Sequence, residues 1–192
     1  MKRYSTLLVL FILIVNVSSG QSNEKLDEKN GFKIFKLGTD KKIYDGGLQF
    51  WKSIPKDNVT AYRYWDSRLE ASDLYFVFDL KFDYITLFFN AENKLICVTI
   101  TKTYSAQDNP NHYQTALSDN RKLMDSFEAM FGKATGAIDG DNSETSDLGL
   151  YWSSKKLMLK LVVSYYGLDK QSVNEIRIYS RSFFESKFDE GF

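Results

Sequence analysis

Cysteine, histidine and proline are scarce in this sequence: its 192 residues include one Cys, one His and two Pro. A single thiol, Cys97, cannot form an internal disulfide, so the core must hold without one. Hydrolases of the Ser–His or Cys–His type need a histidine beside the nucleophile, and no spacing joins His112 to Cys97. Zinc sites need three or four Cys, His or carboxylate ligands. The sequence therefore predicts no catalytic residue, no metal site and no cofactor.

The chain has no formal net charge, since 25 Lys and Arg residues balance 25 Asp and Glu residues. Without a net field, the chain has no general attraction to nucleic acid or to anionic lipid, and nucleic-acid binding is not expected. Long apolar runs are missing as well. The run over residues 7–15 is shorter than the roughly 20 residues that a membrane-spanning helix needs, and no other stretch qualifies. We therefore expect no stable membrane span after removal of the N-terminus.

The N-terminus has the organisation of a secretory signal peptide. Lys2 and Arg3 precede the apolar run, and small residues follow it up to Gly20. This pattern predicts that residues 1–20 are removed by cleavage between Gly20 and Gln21. A retained membrane anchor is the alternative, which the short run disfavours. No cysteine follows the run, which argues against a lipid-anchored lipoprotein, and the expected location is periplasmic or secreted.

Residues 21–30 are polar and lack periodicity, and they are predicted to be a flexible lead-in to a single domain over residues 31–192. The domain is rich in aromatic side chains, since the chain contains 15 Phe and 12 Tyr, and this favours strands and a well-filled core. A short strand over residues 32–36 comes first. A short helix is predicted to start at Thr39 or the next residue, because apolar positions recur at helical intervals up to Ile54. Gly46 and Gly47 weaken this helix by roughly 1 kcal/mol each and are the point at which it can break.

Several later segments alternate between apolar and polar residues, as strands with one buried face do. Residues 59–65 are rich in strand-forming residues, and residues 74–79 are another candidate strand. Residues 82–104 form the clearest hairpin, in which Val98 belongs to the buried side of the second strand and Cys97 to the wetter side. A sheet with one covered and one wetter face is the expected result.

The strongest helical pattern covers residues 109–131, where apolar residues follow the 3.6-residue period and Gly132 provides a stop. Residues 135–149 are polar and contain glycine, so they are predicted to be a loop. Two strands follow, over residues 150–166 and 173–180. The predicted class is α+β, an antiparallel sheet with one long and one short helix packed on a face. The order is also compatible with two helix-plus-strands halves.

The segment over residues 32–41 reads F-K-x-F-K-L-G-T-D-K, with Leu37, Gly38 and Thr39 at its centre. It resembles the opening segment of small exported proteins of Bacteroidota-type bacteria, and Gln21 resembles the signal sites of that group. With the later strand patterns YWSSKKLMLKLVV and NEIRIYS, the chain is also loosely similar to the β-lactamase-inhibitor-like and SmpA/OmlA outer-membrane assembly folds. The resemblance implies an exported protein built from a helix and an antiparallel sheet, and it carries no catalytic motif.

Three tryptophans, Trp51, Trp65 and Trp152, are the candidate ligand-binding residues. Together with the abundant Tyr they could form a stacking platform for a sugar or a peptide. Aromatic side chains at this density more often fill a core. The location of the three indoles, inside or along an open groove, decides between these two interpretations.

Acidic residues provide the remaining candidates. Asp66, Glu70, Asp79 and Asp83 lie among aromatics, and a pair of carboxylates is what glycoside hydrolysis requires. Polar faces of strands and turns explain the same residues more simply. The acidic residues within 135–149 do not fit an EF-hand loop, because the glycine and the closing carboxylate of that pattern are missing.

The sequence thus predicts an exported, non-catalytic globular protein that binds a protein or an envelope component through its sheet face or an edge strand. A small-ligand protein for sugar or lipid, with an aromatic pocket, is the alternative. A hydrolase with remote carboxylates is the third hypothesis. The sequence does not identify the partner.

Overall fold

The computed structural model describes residues 24–65, 73–141, 145–167 and 169–183. Strands and one long helix, α1 (His112–Phe131), make up most of this part of the chain. Shorter 3₁₀ helices span Lys41–Gly47, Pro55–Asp57 and Asp73–Tyr75. The strands, in chain order, are β1 (Gly31–Phe32), β2 (Phe35–Lys36), β3 (Leu48–Ile54), β4 (Val59–Tyr64), β5 (Phe76–Val77), β6 (Leu80–Lys81), β7 (Tyr84–Phe89), β8 (Leu95–Ser105), β9 (Gly136–Asp141), β10 (Thr145–Ser153), β11 (Leu157–Tyr166) and β12 (Gln171–Ser180).

Eight strands form one main sheet in the order β3–β4–β7–β8–β12–β11–β10–β9. Every neighbouring pair in it is antiparallel. The strands β1 and β2 form a small hairpin of their own, and so do β5 and β6. Helix α1 packs on β12, β11 and β8, in the middle of the main sheet. The predicted α+β class is confirmed.

The main sheet has a covered face and an open face, because successive side chains of a strand point to opposite sides. In β8, Val98 and Ile100 belong to the covered face, which α1 and the two small hairpins pack against. Cys97, Thr99 and Thr101 belong to the open face, where they line a groove. This distribution is the alternation that the sequence predicts for the second strand of the 82–104 hairpin.

The main hydrophobic core lies between the covered face and the elements that pack on it. Leu157, Leu159 and Leu161 of β11 contribute to it from the sheet, and Leu123 and Phe127 contribute from α1. All five are at most 6% exposed. Since no disulfide is available to the lone thiol, the burial of such side chains, worth roughly 1.5–3 kcal/mol each, stabilises the fold.

A buried polar network joins α1 to the covered face. Asn174 of β12, which is 0% exposed, donates from Nδ2 to the Ala116 carbonyl of α1 at 2.9 Å and to the Tyr104 hydroxyl at 3.0 Å. The Tyr104 hydroxyl donates in turn to Asp119 Oδ2 at 2.9 Å. Burial, with the hydrogen bond to Asp119, raises the pKa of Tyr104. Because buried polar groups are costly without partners, this network fixes one position of the helix.

Hydrogen bonds to the sheet also anchor both ends of α1. At its start, His112 is buried, its Nδ1 lies 2.9 Å from the Ser172 hydroxyl, and its ring stacks on Tyr165. At its end, Gly132 has φ +80°, a conformation that glycine adopts without the steric cost of a Cβ. The Trp152 indole N–H donates to the Gly132 carbonyl at 2.8 Å. The stop predicted at Gly132 is therefore where the helix ends.

The lead-in predicted as flexible over residues 21–30 differs in its described part. Residues 24–29 form a helical turn, and Leu26 is 2% exposed against the core. Asp27 Oδ1 accepts from the Ser154 hydroxyl at 2.5 Å and from the Lys156 backbone N–H at 3.1 Å. These contacts are remote in sequence, so the polar composition of the segment gave no sign of them.

The short helix predicted from Thr39 to Ile54 is wrong in its second half. Asp40 caps a 3₁₀ helix that ends at Gly47, and the chain then pairs with β4 as strand β3. A Cβ at Gly47 would lie 2.6 Å from the Tyr64 ring, so only glycine permits this close approach. The glycine step thus ends the helix, and pairing with β4 outweighs the weak helical period.

Three predicted boundaries need correction. The predicted strand over residues 32–36 is the β1–β2 hairpin, with its turn at Lys33. The predicted loop over residues 135–149 is mostly strand, because β9 and β10 extend the sheet beyond β11. The predicted strand over 150–166 is divided between β10 and β11 by a turn in which Ser154 accepts a backbone hydrogen bond. In each case, pairing within the sheet decides the structure of a segment whose composition was ambiguous.

Among the helices of the described ranges, none is both long and apolar enough to cross a membrane.

We expect the substitution Asn174→Ala to lower the free energy of unfolding by about 2–3 kcal/mol, because it removes the two buried hydrogen bonds by which the Asn174 amide joins β12 to the Ala116 carbonyl and to the Tyr104 hydroxyl. Urea denaturation followed by circular dichroism measures the change. Gln114→Ala, at an exposed position of α1, is the control and should change stability by less than about 0.5 kcal/mol. Equal effects of the two substitutions would show that the network does not hold the helix.

Candidate functional site

The open face of the main sheet carries a groove of about 630 Å³, which we call the open-face groove. It crosses the central strands of the sheet, on the side opposite α1. Its floor is polar, since Thr86, Thr99, Thr101 and Thr103 face it. Other side chains that line it include Trp51, Lys52, Arg63, Tyr84, Phe88, Cys97, Lys160, Asp169, Glu175, Arg177, Tyr179 and Phe183.

One end of the groove combines aromatic rings with an arginine. The Arg63 guanidinium carbon lies 4.1 Å from the Tyr84 ring centre and 5.5 Å from the Trp51 ring centre. Lys52 Nζ lies 4.2 Å from the centre of the Trp51 ring. The register between β3 and β4 shifts between Phe50 and Lys52, and such a bulge redirects a side chain. Trp51 therefore reaches the open face beside the two cations.

One side of the groove has an apolar wall that runs along β7, β8, β12 and β11. Cys97, Met158 and Tyr179 form a small buried cluster there, with Phe88 and Phe183 packed against it. Burial raises the pKa of the Cys97 thiol to about 12, an effect that the Thr99 hydroxyl partly offsets. The thiol is thus neutral at physiological pH and is a packing group rather than a nucleophile.

A row of registered residues crosses the groove beside this wall, two residues away from it on each strand that they share. Arg63 pairs with Thr86, Thr86 with Thr99, Thr99 with Arg177, and Arg177 with Lys160, each on the next strand of the sheet. All five side chains line the open-face groove. Neighbouring strands are about 4.8 Å apart, so the row extends over roughly 19 Å. We call it the cationic row.

Acidic groups compensate the cationic row only in part. Glu175 forms an ion pair with Arg177, its neighbour but one on β12. Burial, with the nearby charge of Arg177, lowers the pKa of Lys160. Among the described residues, no carboxylate pairs with Arg63, whose buried Nε–H has no hydrogen-bond acceptor. Among the described residues that line the groove, the basic Lys52, Arg63, Lys160 and Arg177 outnumber the acidic Asp169 and Glu175, and aromatic rings lie beside them.

The three tryptophans predicted as ligand-binding residues are not brought together. Trp51 is 43% exposed and lines the groove. Trp65 is 44% exposed at the end of β4, and its ring lies 6.5 Å from that of Tyr75. Trp152 is 2% exposed within the core, where it donates to Gly132. Only Trp51 of the three thus faces the groove.

The acidic candidates are also dispersed. Asp66 and Glu70 lie outside the described residues. Asp79 is exposed in the turn between β5 and β6. Asp83 Oδ2 accepts from the Thr103 backbone N–H at 2.7 Å, as a turn residue does. Among the residues that the structure describes, no three His, Cys, Asp or Glu side chains form a group that could hold a metal ion.

His112 and Cys97 are on opposite sides of the sheet, since His112 belongs to α1 on the covered face and Cys97 to the open face. Sequence reasoning missed Arg63, Lys160 and Arg177. The available signal was a basic residue between apolar residues of a strand, as Lys160 is between Leu159 and Leu161. Such a residue belongs to the wetter face, but the sequence does not show which strands are neighbours.

No protein-family model, no curated protein and no solved structure matches this chain. The resemblance to exported proteins of Bacteroidota-type bacteria and to the β-lactamase-inhibitor-like fold stays a prediction. The function is therefore inferred from the geometry of the chain itself.

We expect Cys97 of the folded protein to resist a thiol reagent such as DTNB at mildly alkaline pH and to react once guanidinium unfolds the chain. Its folded pKa, about 12, is above the ordinary value of 9.0. Cys97 therefore contributes stability below about pH 9, and this contribution is lost as the pH rises toward 12. The absorbance of the thionitrobenzoate that DTNB releases measures the labelling of Cys97. Rapid, complete labelling before unfolding would contradict the assignment of Cys97 as a packing group.

Proposed function

We propose that the protein is an exported, non-catalytic binding protein that holds an acidic polypeptide segment of a partner in the open-face groove. The observation that carries the proposal is the cationic row, in which Arg63, Arg177 and Lys160 lie over a floor of threonines. Carboxylates suit this row because guanidinium groups bind them through paired, charge-assisted hydrogen bonds.

The excess of positive charge supports an anionic partner. Arg177 and Lys160 are directly opposite each other on neighbouring strands, and like charges in this arrangement are destabilising. Glu175 offsets part of this repulsion through its ion pair with Arg177, and a carboxylate of the partner would add a second anion beside the two cations. Arg63 is held between two rings, so little side-chain freedom would be lost when it binds a carboxylate.

The dimensions of the row suggest how such a segment lies. Arg63 and Arg177 are three strands apart, which corresponds to roughly 14 Å at a strand spacing of about 4.8 Å. Residues i and i+4 of an extended chain are also about 14 Å apart and point to the same side. The expected partner segment therefore has two acidic residues that are four positions apart and crosses the strands of the sheet.

The open face of the main sheet suits this binding better than either of its edge strands, β3 and β9, does. The edge strand β3 contains the bulge between Phe50 and Lys52, which interrupts its row of free hydrogen-bonding groups. The other edge, β9, contains Gly136 and Gly140 and offers little side-chain surface. Aromatic rings, threonine hydroxyls and basic groups are instead concentrated on the open face, which favours it as the binding surface.

A photo-reactive benzophenone residue in place of Thr101 should capture a discrete partner in cells that produce the protein. Thr101 lines the groove beside Glu175. The cross-linked segment, identified by mass spectrometry, should contain acidic residues four positions apart. The same group at Arg121, an exposed position of α1 on the other side of the sheet, is the control. Capture of the same partner from both positions would contradict binding in the groove.

The charge requirement is tested with a synthetic peptide of the captured segment. Arg63→Gln should weaken its binding about tenfold, or about 1.4 kcal/mol, because one charge-assisted pair is lost. Arg121→Gln is the matched control and should bind normally. Isothermal titration calorimetry measures both. A peptide with Gln in place of its acidic residues that binds equally well would show that the groove does not select carboxylates.

A further inference from the structure

A second cavity lies on the covered face, independent of the open-face groove. It has a volume of about 370 Å³ and is enclosed by α1, the β1–β2 and β5–β6 hairpins and the sheet. Ile100, Leu159 and Ile176 form its sheet side, and Phe127 and Phe131 line it from α1. These five side chains are at most 6% exposed. The cavity therefore reaches down to the hydrophobic core.

Polar side chains line this cavity only at its mouth. They are Lys29, Lys33 and Lys36, and all three are exposed. Lys36 Nζ donates to the Lys29 carbonyl at 2.8 Å, which holds the two segments together at the rim. Asp73 is close enough to Lys33 for an electrostatic interaction, and it belongs to a neighbouring surface depression. The cavity thus combines an apolar interior with a mainly basic rim.

The walls beside the mouth have a strained backbone. Phe78, in the turn of the β5–β6 hairpin, has φ +51°, and Lys33, in the turn of the β1–β2 hairpin, has φ +50°. A bulky residue rarely adopts positive φ, and such strain is concentrated at binding sites and switches. The Phe78 ring is 41% exposed and contacts Phe127 edge-on, with 5.3 Å between the ring centres. Each hairpin has strands of only two residues, and Phe35 and Val77 anchor them in the core.

We propose that this cavity binds a free fatty acid, with the hydrocarbon chain inside and the carboxylate at Lys29, Lys33 and Lys36. An apolar interior offers no partner for the hydroxyl groups of a sugar, whose desolvation would be costly. A volume of about 370 Å³ is near the lower limit of ligand pockets, which supports one chain rather than a two-chain lipid. The basic rim complements one negative headgroup.

The first test is a chain-length series. Saturated fatty acids from octanoate to palmitate are titrated below their critical micelle concentrations into the purified full-length product, and displacement of a fluorescent fatty acid is measured. Affinity should rise about fourfold for each added methylene until the cavity is full, and then level off. The corresponding alkanols should bind at least tenfold more weakly. Absence of binding, a flat series or equal binding of alkanols would overturn the proposal.

Two matched pairs of variants locate the site. Met130 lines the cavity and Met124 does not, although both are half-buried on α1. Met130→Trp should abolish binding of palmitate, while Met124→Trp should retain it; circular dichroism checks that both fold. Lys33→Gln should weaken binding of the carboxylate about tenfold without affecting the alkanol, and Lys133→Gln, at an exposed position away from the cavity, should have no effect.

The source of the lipid is tested separately. Vesicles of an anionic phospholipid are incubated with the protein and sedimented. Binding to vesicles without binding of free fatty acid would overturn the proposal in favour of a membrane surface. None of these results depends on Arg63 or Arg177, so loss of this proposal leaves the proposed function of the open-face groove intact.

Discussion

The hydrogen bonds of Asn174 fix the position of α1 on the covered face of the main sheet. Its side chain links β12 to the backbone of α1 and to Tyr104, inside a region that excludes water. Because an unpaired amide there would be costly, the helix has one favoured position over the middle of the sheet. The core forms beneath the helix, and the opposite side of the same strands is left for polar and charged groups.

The two sites show how one sheet provides two kinds of chemistry. Alternate residues of the same strands face opposite sides, so Ile176 lines the cavity on the covered face while Arg177 belongs to the cationic row. The groove is wide, has a floor of hydroxyl groups and is basic, which suits a polypeptide surface. The cavity is narrower and apolar, with lysines at its rim, which suits a single chain with one charged end. The sheet separates them, and each can be changed without the other.

The order and register of the strands explain why the groove was harder to predict from the sequence than the fold class. The alternation in β7, β8, β11 and β12 was clear from the sequence, and so was the helix that ends at Gly132. Lys160 and Arg177 each stand between apolar residues, which is the pattern of a wetter face, but neither was predicted as a site residue. That they are adjacent in one row follows from the order of the strands and from register. Long-range pairing depends on the whole set of contacts, and a single segment does not encode it.

The sequence by itself determined the α+β class, the long helix, the main strand alternation and the dependence on a core without disulfides, because these follow from local periodicity and composition. Tertiary structure decided the rest. It buried Trp152 and exposed Trp51, converted the polar 135–149 segment into strands, and fixed Leu26 and Asp27 against distant partners. In each of these cases, the deciding energy comes from contacts between residues far apart in the chain, whose geometry exists only once the sheet has formed.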